Sequence, residues 1–597
     1  MVSKTIGILA AGAFAAVAGG LAGVFACLAG GDTRPFLWAV FPPAGSAAAL
    51  CLWRALARRA GEGTHGMASV PFLALLIPMF FLPDYLVGTG PPLAISVALA
   101  AIMISGFVAV VVLVFSSASP AWESGLERHS LAIVTASVII FTVAAIVHAV
   151  AMYRAFGYPG HDLCVFTQSF WTSLHGRLFW NTEECYPGCS RFGKQFCPIM
   201  FLLVPFFKCA PHCATIFALD ALALGLGGLV LYRLAREAIG GYAAACFGLA
   251  YLMHPGISYQ ALAPYYFMHY APLFLLLALY FFIQKRLGAF IVALLLAWST
   301  REDIALTTCV FGMYALIRRR RAAWVVIPIL GSMLWFVVAV WVVIPSLGPG
   351  TMRYFFRGTD GCIGDIAWAF LAEPGAVCAR LLSTQMMRLS YLVLMPLGII
   401  LPLASTEILF ALPTYLILGI SSQKTTRLIY SYYYLPAVPF LFAGAVAAVA
   451  RCSRSVALPF ATRRQAANVI STLVLSLSCA VFVRGPLGET LQAGIHPFGS
   501  PPDAGYTEAL RRAVNLIPRD VSVFTPRYLA PHVAKRMVVM FKTPCDAEYL
   551  IVDMHTEDLR TLGIQNDPFV RSLGSNPAYR AIFEGNGVTV YRRTGAR

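Results

Sequence analysis

Runs of about twenty apolar residues recur from one end of the chain to the other, and this constrains the fold more than any other feature. A helix needs roughly 20 such residues to cross the hydrocarbon core of a bilayer, and there it must satisfy its own backbone hydrogen bonds. Near-continuous apolar runs cover 6–30, 36–53, 69–87, 93–115, 131–153, 213–232, 241–256, 269–284, 288–317, 323–345, 390–420, 432–450 and 466–484. The run at 288–317 is interrupted by Arg301-Glu302-Asp303, and the run at 390–420 holds Pro402 and Glu407, so each reads as a hairpin of two spans. The pattern predicts a mainly α polytopic membrane protein with about 13–15 transmembrane helices. Of 597 residues, 59% are hydrophobic and only 12% charged, against about 25% charged in soluble domains. A soluble enzyme, a disordered tail and a fibrous repeat are excluded. The first run follows Lys4 like a signal peptide, but it is too long for one and leads straight into a second span.

Lys and Arg outnumber Asp and Glu by 44 to 27, a net charge of +17. In a membrane protein this excess collects in cytoplasmic loops, so no nucleic-acid partner is expected. Arg54, Arg58 and Arg59, Arg233 and Arg236, Lys285-Arg286, Arg318 to Arg321, and Arg451, Arg454, Arg463 and Arg464 all follow or separate spans. Placing every one of these clusters in the cytoplasm gives a consistent topology with a cytoplasmic N-terminus. Loops 154–212, 257–268, 346–389 and 421–431, the Arg301–Asp303 tip and everything after 485 then lie outside.

Three regions emerge. Residues 1–125 form a four-span module, 126–484 a transmembrane core with the large outside loop 154–212, and 485–597 a small extracytoplasmic domain. In that tail Val521–Phe524, Met537–Phe541, Tyr549–Val552 and Val588–Tyr591 have strand character, and 506–516 has a helical pattern, so an α/β fold is predicted. Its default role is a lid or acceptor-docking unit. Of the 15 cysteines, Cys164, Cys185, Cys189, Cys197, Cys209 and Cys213 concentrate in the first outside loop, with Cys362, Cys378 and Cys545 in later outside segments. That position favours disulfides, and Cys362 with Cys378 is the simplest pair. Cys-x3-Cys occurs twice, at 185/189 and 209/213, with His161, His175 and His212 nearby. No cofactor is assigned, and this loop leaves a divalent metal open.

The chemistry-bearing residues stand out because charge is scarce. Asp162 follows a Pro-Gly turn and precedes an amphipathic stretch with Phe166, Gln168, Phe170, Trp171 and His175. A carboxylate at the membrane boundary suits a general base acting on an acceptor brought to a lipid-linked donor; the competing reading is a helix cap. Arg301, Glu302 and Asp303 are expensive within an apolar hairpin and are candidates for a polar site, or else form a hydrophilic tip. His269, beside Tyr265, opens a span at the outer face. It reads either as a sugar or diphosphate contact or as part of an aromatic belt. Arg353, Arg357, Lys424 and Arg427 are basic residues on the side expected to lack them. They read as phosphate-binding groups or as solvated charges.

The segment His161-Asp-Leu-Cys-Val-Phe-Thr-Gln-Ser-Phe-Trp-Thr-Ser-Leu-His-Gly176 resembles the D-L-x-x-F-x-Q-x-x-W-x-x-x-x-G segment of an uncharacterised family of predicted bacterial membrane proteins. That family is related to the GT-C glycosyltransferases, which include protein mannosyltransferases and aminoarabinose transferases. Phe196-Cys-Pro-Ile-Met, Val204-Pro205, Tyr265–Pro272, Arg301-Glu-Asp-Ile-Ala-Leu306, and Leu412-Pro413 leading to Ser431–Pro439 are similar to its later landmarks. The resemblance covers about 130–597. It departs from the family pattern at Tyr432-Tyr433, where a His is expected, and in the Cys-rich insert 185–213. It implies a GT-C-like fold in the bacterial cytoplasmic (inner) membrane with a periplasmic or extracellular C-terminal domain. It also implies transfer of a sugar from polyprenyl phosphate, with inversion, to a glycan, lipid or protein acceptor.

Carried over, the resemblance makes Asp162 the catalytic candidate. It makes Glu302 and Asp303 polar-site residues of second rank and Arg301 and His269 phosphate or sugar contacts; these four, with His161, Gln168, Trp171, His175 and Tyr265, are the substrate-binding candidates, with membrane lipids as surroundings. Two other readings compete: a transporter or flippase using Arg301–Asp303, and a non-catalytic assembly protein. The lack of an internal repeat weighs against the transporter.

Overall fold

The computed structural model describes residues 120–348, 374–454, 462–484, 504–540, 545–554 and 568–595, apart from positions 159, 186, 264 and 422. The four spans expected before residue 120 lie outside the described residues, as do Arg353, Arg357 and Cys362. The chain runs through α1 (Pro120–Arg154) and α2 (Gly160–Leu174) into a short hairpin, β1 (Trp180–Asn181) and β2 (Cys189–Ser190). There follow α3 (Ile199–Cys209), α4 (Cys213–Ile239), α5 (Gly241–Met253), α6 (Pro255–Leu262), α7 (Ala271–Ile283), α8 (Leu287–Trp298) and α9 (Ile304–Ile317). Next is α10 (Ala322–Leu347), which includes two π-helical stretches. After the short helices of 374–420 come α11 (Val438–Cys452) and α12 (Arg463–Arg484).

Among the described residues, five helices are long and apolar enough to cross a membrane: α1, α4, α10, α11 with its leading turn, and α12. The helices α3, α5, α7, α8 and α9 are apolar but shorter. At 1.5 Å per residue the 12-residue α8 spans about 18 Å, less than the roughly 30 Å of hydrocarbon. The α1 helix turns Ile139, Ile140, Val143 and Val147 outward, which only a lipid surrounding makes favourable over a whole helix face.

Small residues bring the helices together. A Cβ on Gly228 of α4 would sit 3.2 Å from the Gly248 carbonyl oxygen of α5, the close backbone approach that membrane helices use. At one end of the bundle, Glu127 of α1 accepts the first backbone N–H groups of α5, from Gly241 at 2.7 Å and Tyr242 at 3.0 Å. Arg464 of α12 reaches the same carboxylate at 3.1 Å. A carboxylate at a helix N-terminus satisfies orphan donors and meets the positive end of the dipole, so three helices are tied at one point.

The structure corrects two readings. The run 390–420 is not a pair of spans but a series of short helices around Pro396, Pro402 and Pro413, with Gly398 at φ +72° and Ile399 at φ +51°. Each proline removes a helical donor and clashes with the preceding turn. The expected loop 257–268 begins as α6, with every one of its residues buried, started by His254, whose Nδ1 accepts from Gly256 N–H at 3.1 Å. The expected Arg301–Asp303 tip does lie between two helices, α8 and α9.

The C-terminal stretch is α/β: α13 (Ala504–Asn515), β3 (Val523–Phe524), α14 (Ala530–Val533), β4 (Val539–Met540), β5 (Tyr549–Asp553), β6 (Tyr579–Gly585) and β7 (Val588–Arg593). The strand order is β4-β3-β5-β7-β6, parallel across β4, β3 and β5 and antiparallel from β5 onward. The β6–β7 turn has Asn586 at φ +44° and Gly587 at φ +72°, the paired positive φ that Asn-Gly supplies in a tight hairpin. One face of the sheet buries Leu510, Val523, Leu529, Val533, Val539 and Ile551 in a cluster that also takes in Phe156 and Cys164. Burying these side chains contributes roughly 1.5–3 kcal/mol each, so the sheet is docked on α2.

Candidate active site

Asp162 stands in the first turn of α2 and is half-buried. The helix can begin there because residue 160 is glycine: a Cβ would meet the Arg527 carbonyl oxygen at 1.6 Å. The carboxylate makes no capping bond and has no hydrogen-bond or ion-pair partner among the described residues. It remains favourably placed for the helix dipole. Its charge reaches Arg191, Tyr266, Tyr432 and Tyr433, which come from three separate stretches of chain.

These residues form one polar wall. The Tyr266 ring stacks on Tyr432 at 3.6 Å between centroids, and Tyr432 packs on Tyr433 at 4.6 Å. The Arg301 guanidinium lies 4.9 Å from the centre of the Tyr433 ring, a cation–π contact, while its Nε donates to Asp303 Oδ1 at 2.5 Å. The first two residues of the Arg301–Asp303 turn are buried, so it is not a solvated tip. Glu302 turns the other way and accepts from Phe196 N–H at 3.0 Å. Ile199 N–H donates to Ser299 O at 2.9 Å. The turn after α8 therefore pins the chain at Phe196 and Ile199.

Two groups here titrate away from their ordinary values. Burial pushes the Glu302 carboxyl up to about 7, with the neighbouring charge of Asp303 adding to the rise and Arg301 opposing it. For His161, burial pulls the imidazole down. The hydrogen bond donated to Glu183 and the charges of Asp162, Glu183 and Glu184 outweigh it, so the net direction is upward. His161 Nδ1 lies 2.6 Å from Glu183 Oε1, and Arg527 Nε approaches the same oxygen at 3.2 Å. His161 thus sits next to Asp162 in sequence but faces the α2–sheet junction.

Several candidates are engaged in contacts within the protein. Gln168 is fully buried. Its Nε2 donates to the Arg536 and Met537 carbonyls at 3.2 and 3.1 Å, and its Oε1 accepts from Thr182 N–H at 3.0 Å. It joins α2 to the sheet. Trp171 stacks on His175 at 3.9 Å. That pair lies nine and thirteen residues beyond Asp162, about 13–20 Å along the helix. Tyr265 is wholly buried among Phe166, Phe267 and Tyr270. His269 is also wholly buried, between Asp220 Oδ2 at 2.7 Å and Gln260 Oε1 at 3.1 Å. Gln260 Nε2 passes the link on to the carbonyls of Ile429, Tyr430 and Ser431. His269 therefore braces the segment that presents Tyr432 and Tyr433. Arg427 is buried and donates to the Leu418 and Ser421 carbonyls, closing a helix end; Lys424 is exposed.

Of the two Cys-x3-Cys spacings, Cys185–Cys189 forms a disulfide and Cys209 and Cys213 are free. Cys213 is buried as the first residue of α4, against Thr167 Oγ1 at 3.3 Å, while Cys209 is exposed. Cys378 carries a free thiol. Among the described residues no three His, Cys, Asp or Glu side chains are grouped to hold a metal ion. His161 is paired with Glu183, His175 is stacked, and His212 caps α4. A narrow seam with no room for a water molecule lies between Phe170, Leu203, Phe207, Thr215, Ile216 and Leu219, bordered by Tyr265 and Tyr270. It borders α2 about 12 Å along from Asp162 and holds no charged group, so it is separate from the polar wall.

Sequence reasoning missed Arg191, Glu183, Glu184, Gln195 and Tyr266. The scarcity of charge that singled out Arg301 would have found the first three, since Glu183, Glu184 and Arg191 interrupt an otherwise weakly charged loop.

Fold and site together define a polytopic helical membrane protein with a small mixed sheet docked over a polar, tyrosine-walled carboxylate site. The chain belongs to the family of predicted membrane proteins designated DUF2079, which matches residues 152–567. Among solved structures it is similar to ArnT from Cupriavidus metallidurans bound to undecaprenyl phosphate, at 15% identity and a TM-score of 0.44, covering 77% of this chain and 99% of that one. The apo state of the same protein gives 13% and 0.45, covering 76% and 98%. The archaeal oligosaccharyltransferase AglB from Archaeoglobus fulgidus, in complex with an inhibitory peptide and a dolichol-phosphate, gives 11% and 0.39, covering 77% and 74%. No curated protein matches the chain.

Proposed function

We infer that this protein is an integral-membrane glycosyltransferase that moves a sugar from a polyprenyl-phosphate donor to an acceptor at the outer face of the cytoplasmic membrane. One observation carries the reading: Asp162 is a half-buried carboxylate without a hydrogen-bond partner among the described residues, held at a helix start within electrostatic range of Arg191 and of the stacked Tyr266 and Tyr432. A structural carboxylate in such a place is normally paired. An unpaired one is poised to accept a proton.

In this reading the acceptor hydroxyl gives its proton to Asp162, and its oxygen forms the new bond to the anomeric carbon from the face opposite the phosphate. The carbon–oxygen bond to the phosphate breaks, and polyprenyl phosphate leaves with the electron pair. Arg301, buried against Tyr433, offers positive charge for that phosphate, and Tyr266 and Tyr432 offer ring faces to the sugar. The test supplies the purified protein in lipid nanodiscs with a radiolabelled polyprenyl-phosphate sugar. Asp162→Asn should lose at least 100-fold in transfer, the scale of general-base catalysis, while donor binding persists. A fully active Asn variant overturns the assignment.

A further inference from the structure

The hairpin turn between β1 and β2 builds a frame around one buried cation. Arg191 follows β2 directly and is only 3% exposed. Its Nη1 donates to Glu184 Oε1 and its Nη2 to Gln195 Oε1 at 2.5 Å, with the guanidinium 5.2 Å from the centre of the Phe166 ring. Its Nε has no hydrogen-bond partner among the described residues. Glu184 is held in turn by Asn181, which donates from Nδ2 at 3.2 Å and accepts the Glu184 N–H at 3.0 Å. Lys194 adds an ion pair to Glu184 at 3.3 Å.

Burying a cation this deeply costs free energy unless its partners are well placed, and two-residue strands cannot fix such partners alone. The Cys185–Cys189 disulfide closes the turn immediately after Glu184 and two residues before Arg191. On the far side, Gln195 Oε1 accepts a second bond, from the Tyr266 hydroxyl at 2.5 Å. One amide oxygen thus receives both Arg191 and the phenol of the tyrosine stacked on Tyr432. Gly193 closes the frame behind, where a Cβ would lie 2.5 Å from the Gly348 backbone.

We propose that Arg191, locked by Glu184 and the Cys185–Cys189 turn, is a positioning residue that acts through Gln195 to fix the Tyr266 phenol and its stack on Tyr432. The proposal rests on the transferase reading for its consequence in catalysis, though not for its geometry. The guanidinium fork is what matters: a lysine keeps the charge but cannot bridge Glu184 and Gln195 at once. The Tyr432 ring still holds the sugar when Tyr266 shifts, so a positioning role lowers kcat far more than it raises the donor KM, and Lys does not rescue it.

The test uses the full chain in nanodiscs, with Arg191→Gln, Arg191→Lys and the wild type after reduction by dithiothreitol, which leaves as its cyclic disulfide while Cys185 and Cys189 become thiols. Two readouts are taken: transfer kinetics, and the 19F resonance of 3-fluorotyrosine placed at position 266. Both variants should lose about tenfold in kcat with the donor KM within twofold. All three samples should show the Tyr266 resonance displaced from its wild-type position. Rescue of kcat by Arg191→Lys, a rise in KM as the main effect, or an unmoved resonance in every sample would each overturn the proposal. If wild-type protein transfers no sugar, the function assigned above fails, and the 19F resonance still decides whether Arg191 holds Tyr266.

Discussion

The carboxyl of Glu302 gives the sharpest physical prediction. It is 5% exposed and accepts from the Phe196 N–H, and burial raises it from an ordinary 4.5 to about 7. A folded state that favours the protonated acid is at its most stable, as far as this group is concerned, below pH 4.5. That contribution is lost as the pH rises through about 7. At 1.36 kcal/mol per pH unit, the interval corresponds to about 3 kcal/mol. Glu302→Gln keeps an acceptor for Phe196 N–H and has no charge to bury. The variant should match the wild type near pH 5 and exceed it by up to about 3 kcal/mol at pH 8. Equilibrium unfolding in mixed micelles at both pH values measures the difference. If wild type and variant lose stability in parallel between pH 5 and pH 8, Glu302 is ionised in the folded state throughout and the burial argument is wrong.

Other predictions follow from the docking of the sheet. Gly160→Ala forces a Cβ into the Arg527 carbonyl and should separate α2 from the sheet, seen as faster proteolysis after residue 485; unchanged cleavage would contradict the contact. Thr182→Val removes the hydroxyl that donates to Val539 O at 2.7 Å and accepts from Val539 N–H at 2.9 Å. It should cost roughly 1–3 kcal/mol, measured by unfolding under the same conditions. His161→Gln removes a histidine whose titration is shifted upward by its carboxylate neighbours. The stability that histidine adds is present below its ordinary 6.5 and lost at higher pH, so the variant should be the weaker protein at pH 5.5 and equal to wild type at pH 8.5.

The helical bundle was legible because apolar length speaks for itself. The runs at 213–232 and 288–317 became α4 and the pair α8 and α9. The run at 390–420 misled because its apolar content is high while its prolines break the hydrogen-bond ladder. The strand β6 escaped notice although Asn586-Gly587 marks its turn: its residues Arg580, Ala581 and Ile582 are exposed, so no apolar alternation announces it. In the site, Asp162 and Arg301 could be read because a charge in apolar sequence needs a reason. The frame around them could not. Gln195 meets Tyr266 across 71 residues and Phe196 meets Glu302 across 106, and such pairings follow from packing that no local pattern encodes. The partners of His269 were equally illegible: Asp220 lies 49 residues away and, with Gln260, holds the ring wholly inside.

The central claim is that Asp162 faces a lipid-linked phosphate. Cryo-electron microscopy of the full chain in nanodiscs with a non-transferable polyprenyl-phosphate sugar analogue tests it most directly. The account predicts the sugar between Asp162 and the Tyr266–Tyr432 stack, with the phosphate within hydrogen-bonding distance of Arg301, in a cavity open only toward the outer face and the lipid. A phosphate bound elsewhere, or a pathway running between both faces of the membrane, would contradict it.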